Sequence, residues 1–442
     1  WDINVSEGLP GTAESATGVT LDSNNNLYVI GYLNDFVDLP SQKDWVVKKY
    51  FSNATEDLNW DLGFSNGDPP AGDDIPYDVA NDSNDNIFVV GMGTNLDSGS
   101  SGEDWWIKKM NSSGVENTSH WDLNFTSDGT QSDIAYALAV DSSDNVFVVG
   151  TGNGLNAPPA TGADWWIKKF DSDGTENTTH WDLNYSNAIG GDEIAYDIAI
   201  DSNGNVFVVG VGQNLAGFTS GSDWWIKKFD SDGTENTTHW DKNFSGSDSA
   251  YESAYGVTVD SNDDVYVVGA FVAGNNAANT EWLIKKFLAN GTEDTSSWNL
   301  TNTSARSFDD TAYAVAVNSE NNVTVVGEVY DIDLETKGYD WWIKSYEGNF
   351  TAAESPSAPV GTLGNFFDDF TNSPNATHYQ NETLQAIEMT FEHDSTNEVI
   401  TFNASVVGGR STHELFTLEN ITMADFNATV NITIENTSSS LS

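Results

Sequence analysis

Apolar residues fall in short runs along most of the chain, five to eight residues each, broken by clusters of Asp, Asn, Ser and Gly. No run keeps the 3.6-residue period of a helix, so the pattern predicts strands and turns. The runs recur as a unit. A Trp, mostly followed by Asp, stands at Trp1, Trp60, Trp121, Trp181, Trp240 and Trp298, at spacings of 59, 61, 60, 59 and 58 residues. The unit from Trp181 reads WDLNYS, a Gly-rich stretch, EIAYDIAI, DSNGN, VFVVG, a variable loop, DWWIKKF and DSDG. EIAYDIAI and VFVVG are strands, and DSNGN between them supplies residues that tolerate left-handed or Asx-turn geometry. DWWIKKF is a third strand and WDLNYS a short fourth.

Four antiparallel strands in about 60 residues, six times over, predict an all-β, six-bladed propeller with one blade per repeat. Such a unit cannot bury both faces alone, so neighbours must stack. Adjacent Trp residues in the third strand point to opposite faces. This predicts inter-blade packing by Trp45, Trp105, Trp106, Trp165, Trp166, Trp224, Trp225, Trp282, Trp341 and Trp342. The sixth unit lacks its Trp-Asp strand, and the N-terminus holds a spare one. Residues 1–6 are therefore expected to complete the last blade and close the ring.

The run AYDIAIDSNGNVFVVG resembles the SBBP-type β-propeller repeat of secreted and cell-surface proteins from archaea and bacteria. The likeness covers about the first 350 residues. It implies the propeller fold and an extracellular setting, and it implies no catalytic residues, because propellers host many unrelated activities.

The propeller is expected over residues 1–353, followed by a linker at 354–360 that contains ESPSAP. Residues 361–442 differ in character and read as a small β-sandwich-like domain. Its last run, 426–434, alternates apolar and polar positions strictly. It is the final strand of its own domain or a strand donated to a neighbouring copy.

Composition narrows the function. The chain has 68 acidic and 16 basic side chains, a net charge of −52, and no Cys. That surface repels phosphate, which excludes nucleic acid and anionic membranes as natural partners. Without Cys there is no disulfide, thiolate metal site or cysteine nucleophile. No stretch approaches 18 apolar residues, so no membrane span is expected. The first residue is Trp, consistent with a removed signal peptide and secretion to the cell surface.

Sequons are the strongest chemical signal. About 22 Asn-X-Ser/Thr sites occur, and many recur in register with the repeat. Candidate glycosylation sites in the repeats are Asn4, Asn53, Asn111, Asn117, Asn124, Asn177, Asn184, Asn236, Asn243, Asn290, Asn302, Asn322 and Asn349. Those beyond are Asn375, Asn381, Asn403, Asn420, Asn427 and Asn431. N-linked glycans there would sheathe the rim and shield a chain without disulfides.

A second signal is an acid eight residues before each hairpin turn: Glu14, Asp74, Asp133, Glu193, Glu252 and Asp310. Placed at one mouth of a central channel, six such groups would repel one another and favour a cation such as Ca²⁺. Eleven of the 14 Lys lie in the DWWIKK strands, where pairing with acids between blades or covering of indole faces is expected. His120, His180 and His239 fall in separate blades, and no nucleophile elbow, HExxH or P-loop is present.

These features point to a non-enzymatic, N-glycosylated extracellular structural protein. It would be a subunit of a filament, sheath or matrix that pairs with other copies of itself through its C-terminal domain. An adhesin or lectin-like propeller binding glycan or Ca²⁺ at the channel mouth is the alternative reading. A polysaccharide-active enzyme is a third.

Overall fold

The computed structural model describes residues 14–347 apart from loops at 35–41, 66–71, 97–101, 128–130, 156–161, 187–190, 216–220, 247–249, 273–278, 303–308 and 331–338. Beyond these it describes four C-terminal strands. Residues 1–355 and 356–442 form two compact units.

The first unit is an all-β, six-bladed propeller. Blade 1 comprises Ser15–Leu21, Leu27–Asn34, Lys43–Tyr50 and Leu62–Phe64. Blade 2 comprises Ile75–Asn81, Ile87–Thr94, Glu103–Met110 and Leu123–Phe125. Blade 3 comprises Ile134–Val140, Val146–Asn153, Ala163–Phe170 and Leu183–Tyr185. Blade 4 comprises Ile194–Ile200, Val206–Gln213, Gly221–Phe229 and Lys242–Phe244, with Ala250–Tyr251 added in parallel to its third strand. Blade 5 comprises Ser253–Val259, Val265–Phe271, Glu281–Phe287 and Leu300–Asn302. Blade 6 shows three described strands, Thr311–Val317, Val323–Tyr330 and Tyr339–Tyr346. Residues 1–6, expected to complete it, lie outside the described residues.

The hairpin turns form as the Asp/Asn-rich runs dictate. In blade 1 the Asp22 carboxylate accepts the backbone N–H groups of Asn24 and Asn26, both at 2.9 Å. Asn25 takes the left-handed conformation at φ 59°, and Asp85, Asp144, Gly204, Asp263 and Asn321 do the same in the other blades. Neighbouring turns clasp: the Ser23 N–H donates to Asp85 at 2.8 Å and the Ser83 N–H to Asp144 at 2.8 Å. After the third strand a second turn contacts the blade behind it. Gly174 sits at φ +92°, and a Cβ there would come 2.3 Å from the His120 carbonyl oxygen, so only glycine fits.

The core lies between blades rather than within any one. Successive first strands stand side by side and carry a ladder of Tyr77, Tyr136, Tyr196, Tyr255 and Tyr313 with ring centroids 4.9–5.5 Å apart. Each seam is a separate apolar cluster. The first joins Tyr28, Ile30, Trp45 and Val47 of blade 1 to Val79, Ile87, Val89, Trp106 and Met110 of blade 2.

In the second unit, Ile387–Asp394 pairs with Val399–Val406, and Leu415–Leu418 pairs with Ile432–Glu435, both antiparallel. Of the expected connector strand 426–434, only residues 432–434 are described, and they pair within their own chain. The remainder of the expected sandwich lies outside the described residues.

Candidate functional site

The functional architecture is the blade seam and the rim that borders it. In every seam the first Trp of one blade reaches forward to the next. Ring centroids are 4.9 Å apart for Trp45–Trp106, 5.0 Å for Trp105–Trp166, 4.8 Å for Trp165–Trp225 and 5.0 Å for Trp282–Trp342. Trp224 meets Leu283 in the corresponding cluster. The forward indole N–H also finds a partner in the next blade: the carbonyls of Met92, Thr151, Val211, Ala270 and Glu328, at 2.7–3.0 Å. Burial of a large ring is thereby combined with satisfaction of its one donor. The second Trp of each central pair turns back and donates to its own outer strand, Trp106 to Asp122 at 2.9 Å and Trp166 to Asp182 at 2.9 Å.

Trp341 departs from this pattern. Its counterparts Trp45, Trp105, Trp165, Trp224 and Trp282 are wholly buried, whereas Trp341 is 92% exposed. No described strand covers that side of blade 6, so the expected packing role of Trp341 is corrected, while Trp342 packs as expected against Trp282.

The lysines divide into two columns, and both pair with acids of their own blade, which corrects the expected pairing between blades: the acids lie on the hairpin and outer segment flanking the same strand. Lys48, Lys108, Lys168, Lys227 and Lys285 are buried and reach the acids of their own blade's outer segment; Lys168, for example, meets Glu176 at 2.5 Å and Asp182 at 2.9 Å. Each of the last four also lies over an aromatic ring of the blade behind, as Lys168 does over Phe125 at 4.6 Å. Burial raises the carboxyl pKa of Asp122 and Asp182. Hydrogen bonds from Lys108 and Trp106, and from Lys168 and Trp166, outweigh it, and both end below the ordinary carboxylate range. The second column, Lys49, Lys109, Lys169, Lys228 and Lys286, pairs with the hairpin acids Asp22, Asp82, Asp141, Asp201 and Asp260 at 3.2–3.8 Å.

The acid series expected at a channel mouth is built differently. Asp74, Asp133, Glu193, Glu252 and Asp310 are buried, and each accepts a backbone N–H from its own blade's second strand or its end: Thr94, Asn153, Gln213, Val272 and Tyr330. Their own N–H groups donate to the third strand of the blade behind or to the residue just before it, as Asp133 does to the Glu103 carbonyl at 2.7 Å. Asp133 and Glu252 also accept the N–H of Ser127 and Gly246, from the segment after the preceding outer strand. The series is thus a set of blade-to-blade staples. Glu14, the first of it, is partly exposed. Among the described residues no three His, Asp or Glu side chains gather as a metal site.

Two acids break the symmetry and were not singled out from sequence. Asp78 and Asp197 occupy the position after the bulge in the first strands of blades 2 and 4, where other blades carry Gly18, Ala137, Gly256 and Ala314. Each carboxylate bridges a seam. Asp78 accepts the N–H of Val79 and of Leu138 in blade 3, and Asp197 accepts the N–H of Ile198 and of Val257 in blade 5. Burial pushes the carboxyl of Asp78 up to about 6 and that of Asp197 up to about 7, the latter helped by repulsion from Asp78. The signal in the sequence was an Asp inside the strand runs IPYDVA and IAYDIAI.

Sequon asparagines line the rim. Asn53, Asn111 and Asn290 are exposed on the turn after the third strand, where each side-chain oxygen accepts a backbone N–H two residues on. Asn124, Asn184 and Asn243 are exposed on the outer strands. Asn117, Asn177 and Asn236 are half-buried, and their carbonyls accept the N–H of Trp121, Trp181 and Trp240. Asn322 is half-buried on blade 6. A shallow open groove in blade 2 is lined by Asn86, Lys109, Asn111, Glu116, Asn117 and Ser119, so two sequons border it. Asn4, Asn349, Asn375, Asn381, Asn420, Asn427 and Asn431, and the side chains of Asn302 and Asn403, lie outside the described residues.

No family model and no curated protein matches this chain. The resemblance to the SBBP-type repeat therefore extends no further than the propeller fold. Solved structures resemble it distantly. A protein of unknown function from Dyadobacter fermentans is 12% identical, with a TM-score of 0.42 over 75% of this chain and 94% of its own. An α-L-arabinanase from Penicillium chrysogenum is 10% identical, with a TM-score of 0.45 over 76% and 93%. Virginiamycin B lyase from Staphylococcus aureus is 9% identical, with a TM-score of 0.40 over 78% and 87%.

Proposed function

We propose that this protein is a non-enzymatic, N-glycosylated structural subunit of an extracellular filament, sheath or matrix, with other copies of itself as its partners. The observation that carries the reading is the register of the sequons. Asn124, Asn184 and Asn243 occupy the same exposed outer-strand position in three successive blades, and Asn53, Asn111 and Asn290 are exposed on the turn after the third strand in blades 1, 2 and 5. Repeated acceptors on one rim suit a sugar sheath around a scaffold whose interior is occupied by packing. The chemistry of the interior agrees with this. Its buried lysines are paired with acids of their own blades, and Asp78 and Asp197 hold backbone N–H groups.

The test is made on protein purified from its natural source. Intact-mass measurement should find glycan on several of these rim asparagines, and electron microscopy should find the protein in a polymer or surface lattice. Unmodified chains present only as isolated monomers would overturn the reading.

A further inference from the structure

Blade 5 breaks the symmetry around the first lysine column. In blades 2, 3 and 4 that lysine meets a glutamate and an aspartate, and the aspartate also accepts the indole N–H of the second Trp. In blade 5 the lysine and the glutamate are kept as Lys285 and Glu293, but Asn299 replaces the aspartate and Leu283 replaces the Trp. The oxygen beside Lys285 therefore belongs to a neutral amide.

Two strands and a turn bring the groups together. Leu300 pairs with Ile284 in the antiparallel ladder, so Asn299 stands opposite Lys285 on the same face. Glu293 comes from the turn between these strands, where its backbone bridges to Phe287 and the next N–H, that of Asp294, donates to the Lys286 carbonyl at 2.9 Å. Lys285 Nζ lies 2.5 Å from Glu293 Oε1 and 3.0 Å from Asn299 Oδ1, the oxygen bonded to the amide carbon. Lys285 is 6% exposed and its Nζ stands 4.4 Å from the centroid of the Phe244 ring, while Asn299 opens to solvent. An amine, a carboxylate able to move its proton and an acyl carbon are thereby held in one place.

We propose that Lys285 and Asn299 join in an intramolecular isopeptide bond, with Glu293 as the proton carrier. Glu293 takes a proton from the Nζ ammonium, and the freed lone pair attacks Cγ of Asn299, moving the carbonyl electrons onto Oδ1. Glu293 then delivers its proton to Nδ2. The carbonyl re-forms as the Cγ–Nδ2 bond breaks, and Nδ2 leaves to solvent. Of the three ammonium protons, one stays on the new amide and two depart with Nδ2 as an ammonium ion, which restores the Glu293 carboxylate. The step consumes no oxidant, reductant or cofactor. In blades 2 and 3 the acid at this position is kept anionic by its lysine and its indole, and an anionic carboxylate resists attack. The bond ties the third strand of blade 5 to its outer strand, a covalent staple in a chain that has no Cys. It stands or falls separately from the glycan and assembly readings.

The test uses the full chain made in a host without N-glycosylation, because Asn299-Leu300-Thr301 is itself a sequon. The intact mass of the denatured wild type should fall short of the sequence mass by one ammonia. Tryptic digestion should yield a branched peptide that joins Lys285 to Asn299 and is uncleaved after Lys285. Lys285→Arg, Glu293→Gln and Asn299→Ala should each return the full mass of their sequence, with wild-type circular dichroism to show that they fold. Wild type at its full sequence mass, with Lys285 and Asn299 on separate peptides, would overturn the proposal. So would an ammonia loss that survives Lys285→Arg, the mark of a succinimide at an Asn-Gly pair such as Asn203-Gly204. A branched peptide that still forms in Glu293→Gln would overturn the assignment of Glu293 as proton carrier.

Discussion

The indole of Trp105 reaches out of blade 2, stacks against Trp166 of blade 3 with ring centroids 5.0 Å apart, and donates its N–H to the Thr151 carbonyl at 2.8 Å. One side chain thereby supplies the apolar area, the ring contact and the polar anchor of a seam. Trp105→Ala should destabilise the propeller by about 3–5 kcal/mol, the usual range for truncating a buried aromatic. Trp341→Ala at low protein concentration should change stability by less than about 0.5 kcal/mol, as an exposed position does. Denaturant midpoints of the two variants check the contrast, and equal losses would contradict the seam assignment.

Asp78 and Asp197 make the propeller less stable as pH rises from acid to neutral. Their folded pKa values, about 6 and about 7, lie above the ordinary aspartate value of 3.8. Between about pH 4 and 7 the folded state therefore binds more protons than the unfolded state, and stability falls as pH rises through that window. Asp78→Asn/Asp197→Asn should flatten the fall. Urea midpoints at pH 5 and pH 8 measure it, and identical slopes in wild type and variant would refute the assignment.

Asp122 and Asp182 act with the opposite sign. Their folded pKa values are lowered, so their contribution is present above the unfolded value near 4 and is lost as pH falls through the folded value. Lys168→Met should be more harmful than a surface change, costing about 1–2 kcal/mol, because Glu176 and Asp182 lose their shared cation but keep part of their access to water. A double-mutant cycle of Lys168→Met with Asp182→Asn should show strong coupling, and additive losses would argue against the pair.

The buried acids Asp133 and Glu252 are staples held by N–H donors. Addition of Ca²⁺ or of a chelator should therefore leave the melting temperature unchanged, whereas Asp133→Ala should lower stability by about 1–3 kcal/mol through unsatisfied donors. A melting temperature that rises with Ca²⁺ and returns on chelation would restore the cation reading.

Glycosylation is checked site by site. In a host that glycosylates the wild type, Asn124→Gln, Asn184→Gln and Asn243→Gln should each lower the intact mass by one glycan. The triple variant should be digested faster by protease. An unchanged mass would remove these positions from the sheath.

Local rules made much of this protein legible from sequence. The blade order, the Asx hairpins at Asp22–Asn26 and their equivalents, and the opposite orientation of Trp105 and Trp106 follow from strand period and turn chemistry, which act over a few residues. The lysine strands read correctly as covers for indoles, because charges and rings recur at fixed offsets; their acids, expected across blades, lie within the same blade. Periodicity says that Asp74, Asp133, Glu193, Glu252 and Asp310 are equivalent, but not which way an equivalent side chain faces. Only the folded blades show that those carboxyls accept backbone N–H groups. Likewise Trp341 has the same neighbours in sequence as Trp105, and its exposure depends on what lies beyond the last blade. Burial belongs to a pair of surfaces, and a repeat encodes one surface at a time; the partner is supplied by the arrangement in space.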